Sequence, residues 1–364
     1  MNSVKKRLAF LYFEEIHHIP HFIGIASELS GNQDFKIDIL TYELKHEVLF
    51  YFLDLLEAKN ISVIQLEKPF VRKIIDYITG RKKPSSVFFY KAYKKILLSY
   101  DALVFTEKNH KYLFKARKKA QKPFLIFTGH GPLYLKNLEK LGILAKNTEI
   151  IGYPKFDLIN FNYKKTLFKD DKPVVIYNPH FNKLTSSWYK HGLEVLEYFY
   201  QSKEFNLIFA PHIYLFNRKG FLKPAAIPKK YFEAKNIYID LGSVSSSDMS
   251  YALAADIYLG DVSSQVFEFV VRPRPCVFIN SHRTAWQDDL NYRFWQMGLV
   301  IDGVGQLHEA LQTDTETLTA FKEKQSAFLE ENFLIDTKET ASQKGATAIK
   351  SYLEGASSMA VNFN

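Results

Sequence analysis

Short apolar runs alternate with helical patterns along most of the chain, in two successive series. The first series predicts strands at residues 6–13, 36–41, 61–64, 102–105, 124–127 and 149–151. The second predicts strands at residues 174–177, 207–210, 237–239, 256–259 and 276–279, with helices around 187–202, 248–255 and 264–271. Continuous apolar strands with helices between them are typical of parallel sheets covered on both faces. The sequence therefore predicts an α/β protein.

The two series predict two Rossmann-like, doubly wound parallel-sheet domains that face a cleft. At roughly 100 to 200 residues per domain, 364 residues suit this number. A stretch rich in Lys and Asp, residues 164–172, ends at Pro173 and is the predicted linker. We place the first domain at residues 1–160 and the second at 173–330, followed by a C-terminal helix and tail over 331–364.

Several classes of protein are disfavoured by what the sequence lacks. Its single cysteine, Cys276, excludes an intramolecular disulfide and a cysteine-based zinc site, which suits a reducing compartment. The longest uncharged runs have 13 residues, against about 20 for a membrane span, and the apolar run at 8–13 is too short for a signal peptide. The Gly-rich dinucleotide fingerprint, the P-loop, the nucleophile elbow and the His-Glu-x-x-His zinc motif are all absent. We therefore expect a cytoplasmic protein.

Positive charge is concentrated in one segment. Residues 68–122 contain 16 Lys and Arg against three Asp and Glu, interleaved with Phe, Tyr, Ile and Leu. Such a basic amphipathic surface can contact anionic lipid or nucleic acid, or can be a solvated helix face. Charge alone leaves these three alternatives open.

Polar residues follow the strand at 256–259 directly. Ligands of open parallel sheets bind outside the carboxyl ends of the strands, so this loop is a candidate site. Ser263 and Ser264 are expected at a helix N-terminus, which favours a phosphate, and Glu268 about one turn later can bind ribose hydroxyls. The alternative is that the serines only cap the helix and Glu268 lies on its solvated side.

The preceding loop, residues 241–249, is rich in serine. Ser247 or Asp248 is a normal helix N-cap, and the same loop also suits contacts to a nucleobase or ribose. In the first domain, His17, His18 and His21 suggest a metal site, but Pro20 interrupts their spacing. A loop that caps the first helix or lines the cleft is the alternative to metal binding.

Three further histidines follow predicted strands, namely His130, His180 and His212. An imidazole near its ordinary pKa can accept a proton from an attacking hydroxyl or, when charged, stabilise a departing phosphate. Three histidines at equivalent positions in two parallel-sheet units favour a shared site over three separate structural roles.

These segments together resemble the CDP-glycerol glycerophosphotransferases, the teichoic-acid and capsule polymerase group with the GT-B glycosyltransferase-like architecture. The residues Gly129-His-Gly-Pro132 are similar to the family's His-Gly-Thr-Pro segment, and Gly152-Tyr-Pro-Lys-Phe-Asp157 to its Gly-x-Pro-Arg-Asn-Asp. Residues 177–179 are similar to its Tyr-Ala-Pro, and residues 261–269 closely match Asp-Tyr-Ser-Ser-x-x-Phe-Asp-Phe. The match departs at Asn182, where many members have Arg, and in residues 292–298.

The resemblance implies a catalytic pair, with His130 as the general base for the acceptor hydroxyl and His212 as a contact or acid at the donor phosphate. The implied contacts to the donor nucleotide or its phosphates are His180, Ser247, Asp248, Asp261, Ser263, Ser264, Gln265 and Glu268. Supporting roles are implied for Gly129, Gly131 and Lys155. It implies no metal and no cofactor, since the nucleotide-activated donor is itself the substrate, and a C-terminal helix that packs back on the first domain.

The resulting hypothesis is a transferase that moves a glycerol-phosphate-like or glycosyl group to a hydroxyl of a surface polysaccharide or its lipid-linked precursor. Residues 68–122 would then hold the enzyme on the inner face of the cytoplasmic membrane, with no nucleic acid as partner. The alternatives are a nucleotide-sugar glycosyltransferase or a UDP-sugar 2-epimerase on the same fold, and a non-catalytic basic binding protein.

Overall fold

The computed structural model describes most of the chain. The described residues are 5–12, 16–41, 46–67, 70–79, 91–105, 125–127, 150–159, 166–217, 222–289, 292–333 and 338–355. The chain divides into two compact units, one formed by Met1–Leu158 with Glu331–Asn364 and the other by Ile159–Glu330.

Unit 1 contains a five-stranded parallel sheet. Its strands are β1 (Lys6–Tyr12), β2 (Phe35–Thr41), β3 (Ile61–Gln65), β4 (Ala102–Phe105) and β5 (Leu125–Phe127). Their order is β3-β2-β1-β4-β5, and each neighbouring pair is parallel. The helices between the strands are α1 (Ile23–Ser30), α2 (Glu47–Leu55), α3 (Phe70–Thr79) and α4 (Lys94–Ser99).

Unit 2 contains a six-stranded parallel sheet. Its strands are β6 (Val174–Asn178), β7 (Asn206–Phe209), β8 (Ile237–Ile239), β9 (Ile257–Gly260), β10 (Cys276–Ile279) and β11 (Leu299–Ile301), in the order β11-β10-β9-β6-β7-β8. The helices are α5 (Trp188–Gln201), α6 (Tyr214–Asn217), α7 (Lys229–Phe232), α8 (Ser250–Ala254), α9 (Val266–Val270), α10 (Leu307–Leu311) and α11 (Thr315–Phe333). The apolar residues of the central strands are buried, because helices cover the sheet on both faces.

The last helix, α12 (Ala341–Gly355), belongs to unit 1 and packs against α1. Gly24 and Gly345 line this contact, and a Cβ on Gly345 would meet the Ile25 side chain at 2.8 Å, so the two helix backbones approach closely. The Asp157 carboxylate accepts the backbone N–H groups of Ala341 (3.2 Å) and Ser342 (2.6 Å), which fixes the start of α12.

The predicted fold class is confirmed, since both series of strands form parallel sheets. Two details differ from the sequence expectation. The strand β11 was missed, because it has only three residues between Gly298 and Asp302. Residues 150 and 151 are not a strand, and residue 149 of that predicted element lies outside the described range. Within the described ranges, no helix has the length and apolar character needed to cross a membrane.

Candidate functional site in unit 2

The loops that follow neighbouring strands of unit 2 meet at the carboxyl edge of its sheet. Strands β9, β6 and β7 are adjacent, so residues 261–265, 179–187 and 210–213 begin side by side. The loop after β8, residues 240–249, continues the same edge. The sequence places its candidate residues in these four loops.

Asp261 joins two of these loops to the start of α5. One carboxylate oxygen, Oδ1, accepts the backbone N–H groups of His180 (2.9 Å) and Val262 (2.6 Å). The other, Oδ2, accepts the backbone N–H (2.6 Å) and the hydroxyl (2.7 Å) of Ser187. The Trp295 indole N–H also donates to the Asp261 carbonyl oxygen, at 3.0 Å.

The geometry gives Asp261 a structural role. The residue is fully buried, and four donors already occupy its carboxylate. Burial raises its pKa to about 6, although the hydrogen bonds from Ser187, His180 and Val262 act in the opposite direction. Asp261 is therefore an anchor of the loops, and its contact to the donor nucleotide stays a prediction.

His180 and His212 lie next to each other at the ends of β6 and β7. Their ring centroids are 5.2 Å apart in a T-shaped arrangement, and the Phe181 ring packs against both, at 4.4 and 4.6 Å. The backbone joins them as well, since the His212 N–H donates to the Pro179 carbonyl oxygen at 3.0 Å. Burial lowers the pKa of His180 to about 4, and burial together with His180 lowers that of His212 to about 3. The structure thus brings together two of the three predicted histidines.

A second aspartate, Asp240, organises the serine-rich loop after β8. Its Oδ1 accepts the backbone N–H groups of Gly242 (2.9 Å) and Ser243 (2.8 Å), and its Oδ2 accepts the hydroxyls of Tyr251 (2.6 Å) and Ser243. Burial alone would raise the pKa of Asp240, but the hydrogen bonds from Ser243, Tyr251 and Gly242 outweigh it and lower the pKa. This anchor was missed in the sequence, although Asp followed by Gly and Ser two and three residues later is a local turn signature.

Within this loop, the Asp248 carboxylate accepts the Ser250 backbone N–H at 2.8 Å, but the N-cap of α8 is Met249 and not the expected Ser247 or Asp248. Met249 adopts a left-handed conformation, with φ of 65°. Ser247 is almost fully buried, and among the described residues neither its hydroxyl nor that of Ser246 has a hydrogen-bond partner. A buried hydroxyl without a partner is costly, so these groups favour a polar ligand or water at this position.

The loop after β9 orients its polar residues in different directions. Ser263 is buried, whereas Ser264 is exposed. Both precede α9, which begins at Val266, and the Gln265 side-chain amide donates to the Ser246 carbonyl oxygen at 3.3 Å. Glu268 is only 7% exposed, so it does not lie on a solvated face.

A small cavity lies between these two loops and the sheet. Its polar lining comes from Ser245, Ser246, Gln265 and Glu268, and the rest of its lining comes from Ile176, Ala210, Met249, Tyr251, Ala252, Tyr258 and Phe269. The carboxylate predicted to bind ribose and the serine-rich loop predicted to contact a nucleobase or ribose thus share one cavity. The cavity has a volume of about 10 Å³, which is room for about one water molecule, and its hydroxyls, amide and carboxylate are suited to hydrogen-bond a polar group.

The remaining predicted residues lie elsewhere. Lys155 is buried in unit 1, in the turn before the Asp157 cap of α12. His18 and His21 lie with ring centroids 6.4 Å apart, and no group of His, Cys, Asp or Glu suited to a metal ion occurs in the described part of the chain. Gly129, His130 and Gly131, with the predicted general base among them, lie outside the described residues.

No family model matches the chain, and no curated protein matches its sequence. Solved structures match its fold over almost the whole length. The putative UDP-N-acetylglucosamine 2-epimerase from Listeria monocytogenes has a TM-score of 0.60 at 12% identity, with 99% of this chain and 100% of that chain covered. A variant of the wall teichoic acid polymerase TagF has a TM-score of 0.59 at 14% identity, with 97% and 90% covered. The calicheamicin glycosyltransferase CalG4 has a TM-score of 0.52 at 15% identity, with 96% and 99% covered.

The chain therefore has the GT-B fold of glycosyltransferases, with two parallel-sheet domains. Proteins of more than one activity share this fold, so the function must be argued from the residues of the site.

Proposed function

We propose that this chain is a transferase that moves a glycerol-phosphate-like or glycosyl group from a nucleotide-activated donor to a hydroxyl acceptor. The observation that supports it most is the shared carboxyl edge of unit 2, where the His180–His212 pair adjoins the loop of Ser264 and Glu268. In this arrangement the nucleoside binds beside Ser264, Glu268 and the serine-rich loop, and the histidines contact the phosphates. No bound metal and no cofactor are needed in this scheme.

The acceptor hydroxyl attacks a CDP-glycerol-like donor in line at the β-phosphorus, which forms a new P–O bond and breaks the bond from that phosphorus to the bridging oxygen, so that CMP departs. With a glycosyl donor the hydroxyl attacks the anomeric carbon instead, and the bond from that carbon to the β-phosphate oxygen breaks. The hydroxyl proton passes to His130, proposed as general base from the family resemblance, and the nucleotide leaves with the bonding electrons. Donors aimed at the departing phosphate stabilise its growing charge, which is commonly the largest contribution of a site of this kind. CDP-glycerol is the donor we favour, because residues 261–269 resemble the glycerophosphotransferase motif most closely.

The first test is nucleotide binding, by calorimetry and thermal shift with CDP, CMP, UDP, GDP and ADP. A ligand at 100 times its Kd stabilises a protein by about 2.7 kcal/mol, which a thermal shift detects readily. Ser264→Ala and Glu268→Ala should abolish the shift. Glu233→Ala is the matched control, because Glu233 is an exposed glutamate of unit 2, paired with Lys229 outside the site.

Each binding result has a definite meaning. Selective CDP or CMP binding that is lost in the two site variants supports the proposal, and transfer assays with CDP-glycerol then follow. Selective UDP binding would favour a glycosyltransferase or a 2-epimerase over a CDP-glycerol transferase. Incubation with UDP-sugars in the absence of an acceptor then distinguishes these two, because only the epimerase would convert the sugar. If the protein binds none of these nucleotides, the proposal of a nucleotide-dependent enzyme is contradicted, and the alternative of a non-catalytic binding protein is favoured.

We further propose that the acceptor is a cell-surface polysaccharide or its lipid-linked precursor, and that unit 1 contacts an anionic membrane surface through residues 68–122. In the described part of this segment, α3 exposes Phe70 (75%), Tyr77 (88%) and Ile78 (75%). Exposed lysines occur nearby in sequence, on α4 and at Lys73. Aromatic and aliphatic side chains beside lysines suit the interface of an anionic bilayer.

Co-sedimentation with vesicles tests this surface. Binding to vesicles with anionic lipid at low salt is expected, with partial release at high salt, because the apolar contacts persist when charge is screened. Ile78→Asp should weaken binding, whereas Leu193→Asp, at an exposed position of unit 2, should not. Equal binding of both variants would contradict a role for α3.

A further inference from the structure

The two histidines of the site have matching hydrogen bonds as well as matching positions. Each follows a proline, His180 after Pro179, which directly follows β6, and His212 after Pro211, which comes one residue later after β7. In each, the ring Nδ1 accepts the backbone N–H of the residue two positions later, from Asn182 and Tyr214, both at 3.2 Å. The Thr185 hydroxyl, 3.4 Å from His180 Nδ1, can donate to the same atom. The same local turn therefore occurs at the ends of two neighbouring strands.

This turn decides which ring nitrogen holds the proton. A backbone N–H is a permanent donor, so the Nδ1 atom that faces it must be an acceptor and has no proton. A neutral imidazole with an accepting Nδ1 has its proton on Nε2, and a doubly protonated ring would set Nδ1–H against the backbone N–H. Both rings are consequently held in the same tautomer.

The surroundings of the pair oppose a positive charge on either ring. Burial lowers the pKa of both, and each lies beside the other, at 5.2 Å. Among the described residues, the Asp261 carboxylate accepts the His180 backbone N–H, and the ring of Tyr214 is 5.5 Å from that of His212.

We propose that His180 and His212 act together as two neutral imidazoles, each with its proton on Nε2, and donate hydrogen bonds to the phosphates of the donor nucleotide. The assignment of the ligand rests on the proposed function, whereas the tautomer does not. His212 is then a hydrogen-bond donor to the departing phosphate and not an acid that transfers a proton to it.

Nitrogen-15 NMR of the histidine rings in the full chain, without ligand, tests the tautomer. The signals are assigned with His180→Gln and His212→Gln. We expect Nε2–H rings for both residues at pH 7, with no change down to about pH 5. Protonation of Nδ1 in either ring, alone or together with Nε2, would overturn the proposal.

Paired substitutions test the donor role. The amide nitrogen of Gln can take the place of histidine Nε2, whereas the amide nitrogen of Asn takes the place of Nδ1. The affinity of His212→Gln for CDP or UDP should therefore stay within about 10-fold of the wild-type affinity. His212→Asn should lose roughly 10- to 100-fold, the effect of one hydrogen bond to a charged group. His180 should behave in the same way, and His308→Gln and His308→Asn are the controls, because His308 is exposed.

Equal losses in the Gln and Asn variants would contradict donation from Nε2. If the rings have the expected tautomer but the wild type binds no nucleotide, the tautomer stands and the phosphate assignment fails together with the proposed function.

Discussion

Two aspartates at the carboxyl edge of unit 2 perform similar tasks in different ways. The Asp240 carboxylate accepts hydrogen bonds from residues no more than 11 positions away, whereas the Asp261 carboxylate accepts them from Ser187 and His180, 74 and 81 positions earlier. Asp240 orders one loop, and Asp261 joins three segments. A carboxylate that orders its own loop can be recognised from the local sequence, whereas one that joins distant segments can be recognised only in a structure.

The two aspartates also divide their donors differently. At Asp261, each carboxylate oxygen accepts at least one backbone N–H, from His180 on one side and Ser187 on the other. At Asp240, both backbone N–H groups donate to Oδ1, and Oδ2 accepts only the hydroxyls of Ser243 and Tyr251. Hydroxyls can reverse their role and accept a hydrogen bond, whereas a backbone N–H cannot.

The largest effect is expected for Asp261→Asn. Whichever way the amide turns, its NH₂ group faces a backbone N–H, so unit 2 should lose about 2–4 kcal/mol of unfolding free energy. Denaturant unfolding measures the loss, and calorimetry should show weaker nucleotide binding, since the His180 loop is released. The control is Asp302→Asn, at an exposed aspartate of unit 2. A loss no larger than that of the control would refute the anchor role.

Ser187→Ala should have the next largest effect. It removes one hydroxyl donor from Asp261 Oδ2, leaves the backbone N–H in place, and also removes the hydroxyl that lies 2.9 Å from the buried Tyr177 hydroxyl. Hydrogen bonds to charged groups contribute roughly 1.5–3 kcal/mol, and a loss within this range is expected, because three donors to Asp261 remain while the Tyr177 hydroxyl loses this partner. Thermal unfolding of Ser187→Ala beside Ser187→Thr, which keeps the hydroxyl, isolates the contribution.

The pH dependence of stability should separate the two aspartates. Burial in the folded state raises the pKa of the Asp261 carboxyl to about 6, so this carboxyl binds a proton more tightly in the folded than in the unfolded chain. Protonation of Asp261 therefore increases the unfolding free energy as the pH falls from 6 towards 4. The difference in unfolding free energy between the wild type and Asp261→Asn should therefore be on the order of 1 kcal/mol larger at pH 5 than at pH 7. The pKa of Asp240 is lowered instead, so its contribution is present above the unfolded pKa near 3.8 and is lost at lower pH. The same difference for Asp240→Asn should be constant between pH 5 and pH 7.

The smallest effect is expected for Asp240→Asn at neutral pH. The amide oxygen can accept both backbone N–H groups, and the amide NH₂ can donate to the Ser243 or Tyr251 hydroxyl, so the loss should be below about 1 kcal/mol. A loss in urea unfolding as large as that of Asp261→Asn would show that the division of donors does not explain the difference.

Much of the fold follows from the sequence, because buried parallel strands are continuous apolar runs. The strand at 102–105, for example, was predicted with the bounds it has in the structure. The three-residue β11 was not found, since its order depends on pairing with β10 and not on its own composition.

The site was predictable in position more than in role. The loops after β6, β7, β8 and β9 were identified as candidates because parallel strands end at one edge. The sequence did not predict that Asp261 is buried or that Ser187 and Trp295 contact it, since these contacts join residues 34 to 74 positions apart. The turn that fixes the histidine tautomers is local, but nothing in the residues Pro-His specifies it.

The cap of α12 by Asp157 has a consequence for the order in which the chain folds. During synthesis, every strand of unit 2 is complete once residue 301 has been made, whereas the face of α1 that contacts α12 stays uncovered until residues 341–355 follow. Unit 2 can therefore finish folding while unit 1 is still incomplete, although the sheet of unit 1 is made first. A chain that ends near residue 335 would contain all of unit 2 and would leave the α1 face that contacts α12 uncovered.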